Sequence, residues 1–137
     1  MVIHAAAVSD FSIDSVEQSS GGAMTVNGGK LSSASDLALR LKRNPKLLNQ
    51  LKAWSLNPAI GVIGFKLTDT ADEQQRLAAV HAQLENHFID AVVHNDLSEI
   101  QDTIHVFRLH KRGKLPQECA SKRELALTID QLLRTAA

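Results

Sequence analysis

AIGVIGFKLTDTADEQQRLAAVHAQLENHFIDAVVHND, residues 59–96, decides how this chain is read. Its ends are apolar runs, Ala59–Leu67 and Ile89–His94, with no polar alternation. That is the pattern of strands covered on both faces. Between them Leu77, Val80, His81 and Leu84 recur at helical spacing, and Thr70 with Glu73 forms a capping box that would open the helix. Strands alternating with helices give a largely parallel sheet. Such sheets take ligands beyond the carboxyl ends of their strands, and here those ends carry Phe65-Lys66 and Asn95-Asp96.

Working outward, NPKLLNQLKAW (44–54) predicts a helix. Asn44 is placed to cap it, and Pro45 suits the first helical position. Leu47, Leu48, Leu51 and Trp54 would share one face. Free N–H groups over Pro45–Leu48 would favour an anion or a base carbonyl, although a plain helix start explains the same residues. Upstream, Leu37, Leu39 and Leu41 alternate with Ala38, Arg40 and Lys42, as in a strand with one wet face. Residues 14–33 hold four of the seven glycines and read as a flexible Gly/Ser-rich flap or loose hairpin. Val2–Val8 reads as another strand buried on both faces, with small Ala5–Ala7 leaving room for close approach and Ser9-Asp10 ending it. Downstream, TIHVFRLHKRGKL (103–115) reads as a strand followed by a tight turn at Gly113, and Ser121 with Glu124 as the capping box of a last helix burying Leu125, Ile129, Leu132 and Leu133.

The whole is one α/β domain over 1–137, with a sheet that is mixed but mostly parallel. Lys+Arg and Asp+Glu number 15 each, for zero net charge, which argues against a general nucleic-acid or anionic-membrane binder. Cys119 is the single cysteine, so no intrachain disulfide and no cysteine-based zinc site forms, in keeping with a cytoplasmic location. Met1–Val8 is too short to span a membrane and lacks a basic leader. The six histidines show no pair at ligand spacing, so no metal site made of protein ligands alone is expected.

Phosphate fingerprints are absent: GGKLS (28–32) has Leu31 where a P-loop needs Ser or Thr, and no G-x-G-x-x-G exists. The candidates are therefore individual side chains. Lys30 sits on the glycine-rich stretch and could bring an ammonium to a developing negative charge; a solvated surface lysine is the plainer account. Asp10 could accept from a ligand, or merely form a turn. Asn95 and Asp96 face the same choice. Phe65, in an apolar strand, reads first as core.

Together HAAAVSDF (4–11), GGKLSS (28–33), NPKLL (44–48), GFKL (64–67) and DAVVHNDLS (90–98) resemble, in order, the C-terminal half of the phosphopantothenate–cysteine ligase family. The resemblance implies a three-layer α/β/α Rossmann-like fold, a homodimer, and a part in coenzyme A biosynthesis. It implies that CTP or ATP, with Mg2+, activates the phosphopantothenate carboxylate as an acyl-nucleotide, which the cysteine amine then attacks. By the same resemblance, Lys30 falls on the catalytic lysine of the flap. Ala6, Ala7 and Asp10 fall on nucleotide contacts, Pro45, Lys46, Leu47 and Leu48 on the segment that holds the base, and Phe65 on the aromatic against the nucleotide. Asn95 falls in the ND turn, and Lys66 is a further candidate. Gln83 and His87 stand where basic residues often occur in the fused form. The family's N-terminal half has no counterpart here, so the expectation is that Met1–Ala7 recruits a separate chain supplying that half, or a second copy. The competing reading is a catalytically inactive nucleotide-binding or scaffold module.

Overall fold

The computed structural model describes residues 1–18, 22–24, 36–102 and 104–135. In chain order they form β1 (Val2–His4), β2 (Phe11–Gln18), β3 (Gly22–Met24), β4 (Leu37–Arg43), a 3-10 turn (Leu47–Gln50) running into α1 (Leu51–Trp54), β5 (Val62–Thr68), α2 (Glu73–Leu84), β6 (Ala91–Asp96), a second 3-10 turn (Leu97–Glu99), β7 (Phe107–Lys111), β8 (Gln117–Cys119) and α3 (Lys122–Thr135). The described chain forms two compact units, Met1–Ala6 with Leu48–Ala137, and Ala7–Leu47.

The first unit is a three-layer α/β/α arrangement on a five-stranded mixed sheet of order β1-β5-β6-β7-β8. β1, β5 and β6 run parallel, while β6, β7 and β8 pair antiparallel. The absence of alternation in β6 has a direct cause: Ala91, Val93 and Val92 are all buried because both faces are covered. On one face Ile63, Ala91, Val93, Phe107, Leu109 and Cys119 meet Leu125 and Ile129 of α3, with Phe65, Leu132 and Leu133 at the margin. On the other, Val92 and Ile89 meet Val80 and Leu84 of α2, with Leu48 alongside. Ser121 Oγ accepts from Glu124 N–H, and the Glu124 carboxylate accepts from Ala120 N–H, closing the predicted capping box one residue early. At the far end of α2, orphan carbonyls are met by Arg112, which donates to Leu84 O (2.8 Å), Asn86 O (2.9 Å) and Ile89 O. Gly113 turns the β7–β8 connection at φ 65°, a conformation that favours glycine.

Gly64 is needed for another reason. A Cβ there would lie 2.5 Å from Gln83 Nε2 and 2.9 Å from Leu48 Cδ2. Gly64→Ala is expected to cost about 1–3 kcal/mol through overpacking, read as a lowered urea midpoint. An unchanged midpoint would mean that α2 and Leu48 give way freely.

The second unit is an antiparallel sheet of order β3-β2-β4. The ladder of β2 and β4 is interrupted between Ile13 and Ser15, so that Asp14 is an extra residue. In unbroken alternation Ile13 and Val16, three positions apart, would point to opposite faces. The bulge cancels that offset, so Phe11, Ile13 and Val16 line up with Leu37, Leu39 and Leu41 on one face. Glu17–Arg40 and Asp14–Lys42 ion pairs, at 3.7 and 3.6 Å, mark the charged residues of this ladder. Most of the apolar set is exposed, Leu39 at 55% and Leu41 at 54%.

Several expectations are corrected. Val2–Val8 is not a strand buried on both faces: β1 ends at His4, pairs with β5 alone among the described strands, and leaves Ile3 and Ala5–Val8 exposed. Residues 14–18 of the expected flap belong to β2; Lys30 and the rest of 25–33 lie outside the described residues. The helix expected from Pro45 begins at Leu47 and is a 3-10 turn at first. Asn44 does not cap it, because its side chain donates to Ser9 O (3.0 Å) and its N–H to Asp10 O (2.8 Å). Thr70 is not the cap of α2 either. Asp72 is, accepting from the N–H groups of Gln74 and Gln75, while the Thr70 hydroxyl accepts from Asp72 N–H. Leu77 and His81 are exposed on α2, so its buried stripe is Val80 and Leu84. β8 has no counterpart in the sequence reading.

Candidate functional site

The carboxyl ends of β5 and β6 carry two groups of side chains, one on each face of the sheet. Phe65 pairs in register with Val93, and Leu67 with Asn95. Alternation therefore puts Phe65 and Asn95 on the α3 face. Phe65 is half-buried against that core. Asn95 Nδ2 lies 3.1 Å from His105 Nε2, and the His105 ring stacks on Phe107 with centroids 4.2 Å apart.

On the α2 face, Thr68, His94 and Asp96 form a buried polar chain. The Thr68 hydroxyl donates to Asp96 Oδ2 (2.5 Å) and lies 2.8 Å from His94 Nε2. A hydroxyl has one proton; with it given to the carboxylate, His94 Nε2–H is the donor to Thr68. Asp96 also accepts from Ser98 N–H (2.8 Å) and Ser98 Oγ (2.6 Å), so it caps the 3-10 turn at Leu97–Glu99. Burial alone would raise its pKa, but these hydrogen bonds and that from Thr68 outweigh it and hold the carboxyl well below the usual range. Arg76 lies 3.3 Å from Asp96 Oδ2 and donates to Glu99 at 2.6 Å. Arg108 forks onto the same Glu99 carboxylate at 2.5 and 3.1 Å, and these bonds push the Glu99 pKa down. Arg76, His94, Glu99 and Arg108, with Ala71, Glu73 and Leu77, line a cleft of about 300 Å³. Further along this face, the His94 and His110 rings meet edge-on at 5.9 Å.

The remaining candidates distribute as follows. Leu48 packs on the α2 face, opposite Phe65. Lys66, half-buried, sits across from His94 in register. Ala6 is exposed beyond β1. In the second unit, Asp10 and Lys46, two separate candidates, form an ion pair with each other at 2.6 Å, and Ala7 and Pro45 are exposed while Leu47 is half-buried. Among the described residues, no three His, Cys, Asp or Glu side chains converge so as to hold a metal.

The sequence matches the family model of the DNA/pantothenate metabolism flavoprotein C-terminal domain over residues 1–136. This chain belongs to that family. Two curated relatives within reach of the family are bifunctional proteins of coenzyme A biosynthesis, CoaBC. The protein of Methanocaldococcus jannaschii is 33% identical over 129 residues and that of Thermococcus kodakarensis 32% over 130. The family domain here covers 92% of its own length in each match but spans only 28% of the relative. Its fold is similar to the crystal structure of the DNA/pantothenate metabolism flavoprotein from Streptococcus pneumoniae, with a TM-score of 0.83, 25% identity, and coverage of 98% of this chain and 62% of the other. A Cab2 variant in complex with phosphopantothenate-cysteine shares the fold more distantly, with a TM-score of 0.54 and 16% identity over 77% of this chain and 34% of that one. No helix among the described residues is long and apolar enough to cross a membrane.

Thr68, Arg76, Glu99, Arg108 and His105 did not stand out in the sequence. They come from β5, α2, the turn after β6, β7 and the segment before β7, and no spacing connects them. Asp96 did stand out, and its bland reading as a turn-former describes its bonds to Ser98.

Proposed function

We propose that this chain is the nucleotide-binding part of a phosphopantothenate–cysteine ligase of coenzyme A biosynthesis. The family match over residues 1–136, with curated relatives named for that pathway, carries the reading. The phosphopantothenate carboxylate attacks the α-phosphorus of CTP or ATP, forming an acyl-nucleotide and releasing pyrophosphate. The cysteine amine then attacks the acyl carbon, forms the amide and releases the nucleoside monophosphate. Phe65 packs against the nucleotide, with Asn95 as a polar contact at the strand end on the same face; the family resemblance adds Leu48 and Lys66, which lie on the α2 face, and the small Ala6 and Ala7 as further nucleotide contacts. Lys30 supplies positive charge to the oxygens on which negative charge grows. Asp10 and Lys46 are both exposed, so their pairing costs little to exchange for ligand contacts; by the family resemblance Pro45 and Leu47, flanking Lys46, would hold the base through backbone groups. Mg2+ would travel on the triphosphate oxygens, its usual position beside a nucleotide.

The apolar face of β2 and β4 suits a second copy of the chain, and the edge of β1 that no described strand pairs suits a further strand of the ligase, from a partner carrying the family's N-terminal half. The test is calorimetric titration of CTP and ATP, followed by pyrophosphate release with phosphopantothenate. The expected result is nucleotide binding weakened about tenfold by Phe65→Ala, a loss of about 1.4 kcal/mol within the range for an aromatic contact, and release that depends on Lys30. Binding without any release, even when a chain carrying the family's N-terminal half is added, would support an inactive scaffold module instead. No binding would reject both.

A further inference from the structure

We propose that His105 is a positioning residue that turns the Asn95 amide toward the nucleotide, so that Asn95 Oδ1 accepts a hydrogen bond from a donor group of that ligand. The inference rests on the nucleotide-binding reading above. An amide nitrogen only donates. At 3.1 Å, Asn95 Nδ2–H therefore gives its proton to His105 Nε2, and the imidazole carries its own proton on Nδ1. The ring is held in plane by Phe107, 4.2 Å away and tilted by 25°, and Phe107 is itself 5% exposed in the core. The amide is thus tied, through a stacked ring, to a side chain buried in the core. With one N–H committed to His105, the acceptor oxygen is left for a ligand. Asn95 lies at the carboxyl end of β6, half-buried, on the face that carries Phe65, where an open α/β sheet receives ligands. Among the described residues none donates to Asn95 Oδ1, and the fold does not need the Asn95–His105 bond to close β6, whose ladders to β5 and β7 are backbone.

The test uses the full 137-residue chain with CTP and ATP as probes. His105→Ala is expected to weaken nucleotide binding about tenfold, the effect of one hydrogen bond. His105→Gln, whose side-chain oxygen can also accept from Asn95, is expected to restore most of it. In an Asn95→Ala background His105→Ala is expected to change nothing further, which a merely structural role would not produce. If the unaltered chain binds nucleotide but His105→Ala, at an unchanged thermal midpoint, binds equally well, the positioning role is overturned and the nucleotide reading stands. Equal and additive losses in the two backgrounds overturn it as well. If the unaltered chain binds neither nucleotide, both fall.

Discussion

Arg76→Leu is expected to lower the unfolding free energy by about 3 kcal/mol, the lower end of the range for a buried ion pair that loses one partner. The Arg76 side chain is 14% exposed, and its guanidinium serves four acceptors. It donates to Thr70 O at 2.6 Å, to Glu99 at 2.6 Å and to Ser98 Oγ at 3.1 Å, and lies 3.3 Å from Asp96. Leucine would fill much of the volume and leave every one of these groups short of a donor. Two of them are carboxylates, and Asp96 is fully buried. Arg76→Lys should recover only part of the loss, because one ammonium cannot reproduce the planar fork. A useful comparison is Arg134, whose ion pair with Asp130 sits on the open surface of α3; Arg134→Leu should be near neutral. Urea unfolding of the three variants measures all of this. An Arg76→Leu chain as stable as the parent would show that solvent, not the guanidinium, satisfies the network.

Acidification from pH 6.5 to about pH 4 is expected to remove about 3 kcal/mol of stability through His110. His110 is 6% exposed and its Nε2 has no hydrogen-bond partner among the described residues. Burial first, and then the neighbouring His94, His81 and Arg108, push its pKa down to about 4. Since the folded-state value lies below the unfolded one, the unfolded chain takes up a proton first as the pH falls. Stability is therefore fully present above pH 6.5, declines through the window, and levels off below about pH 4 as far as this group is concerned. Burial and Arg108 lower His94 as well, which adds to the same slope. Asp96 and Glu99, both depressed, begin to cost stability below about pH 5, where carboxylates in the unfolded chain start to protonate, so the upper part of the window belongs to the histidines and the lower part is shared with these carboxylates. The check is a series of urea melts across this range with His110→Leu alongside. The variant should show a flatter dependence; parallel curves would remove His110 as the cause.

The part of the fold governed by burial was legible, and the part governed by convergence was not. AVVH and VIGF announce covered strands because only apolar, β-branched residues pack on both faces, and the five-stranded sheet follows from them with α2 and α3. Cap residues were harder. Thr70 and Asp72 both precede α2 with suitable side chains, and the choice between them depends on where the backbone turns after β5. Asn44 likewise had a better use for its amide on Ser9 O. The site was legible only in part: Phe65 and Asn95 come to the same face and end of the sheet, whereas the Arg76–Glu99–Arg108 cluster is assembled from distant segments. FSIDSVEQ concealed a strand because its apolar residues, Phe11, Ile13 and Val16, fall out of step with a period of two.

That misstep has a consequence for how this protein tolerates change. In the Ala7–Leu47 unit the quantity under constraint is phase rather than residue identity. Many substitutions at Asp14 would keep Phe11, Ile13 and Val16 beside the three leucines of β4, since the extra position itself does the aligning. Deleting Asp14 would keep that phase too, because Ile13, Ser15 and Val16 would then alternate regularly against Leu41, Arg40 and Leu39. A deletion at Ser12 would instead throw Phe11 onto the charged face beside Lys42. Natural variation in β2 should therefore be permissive at Asp14, in spelling and in the loss of that one residue, and strict in length elsewhere along the strand.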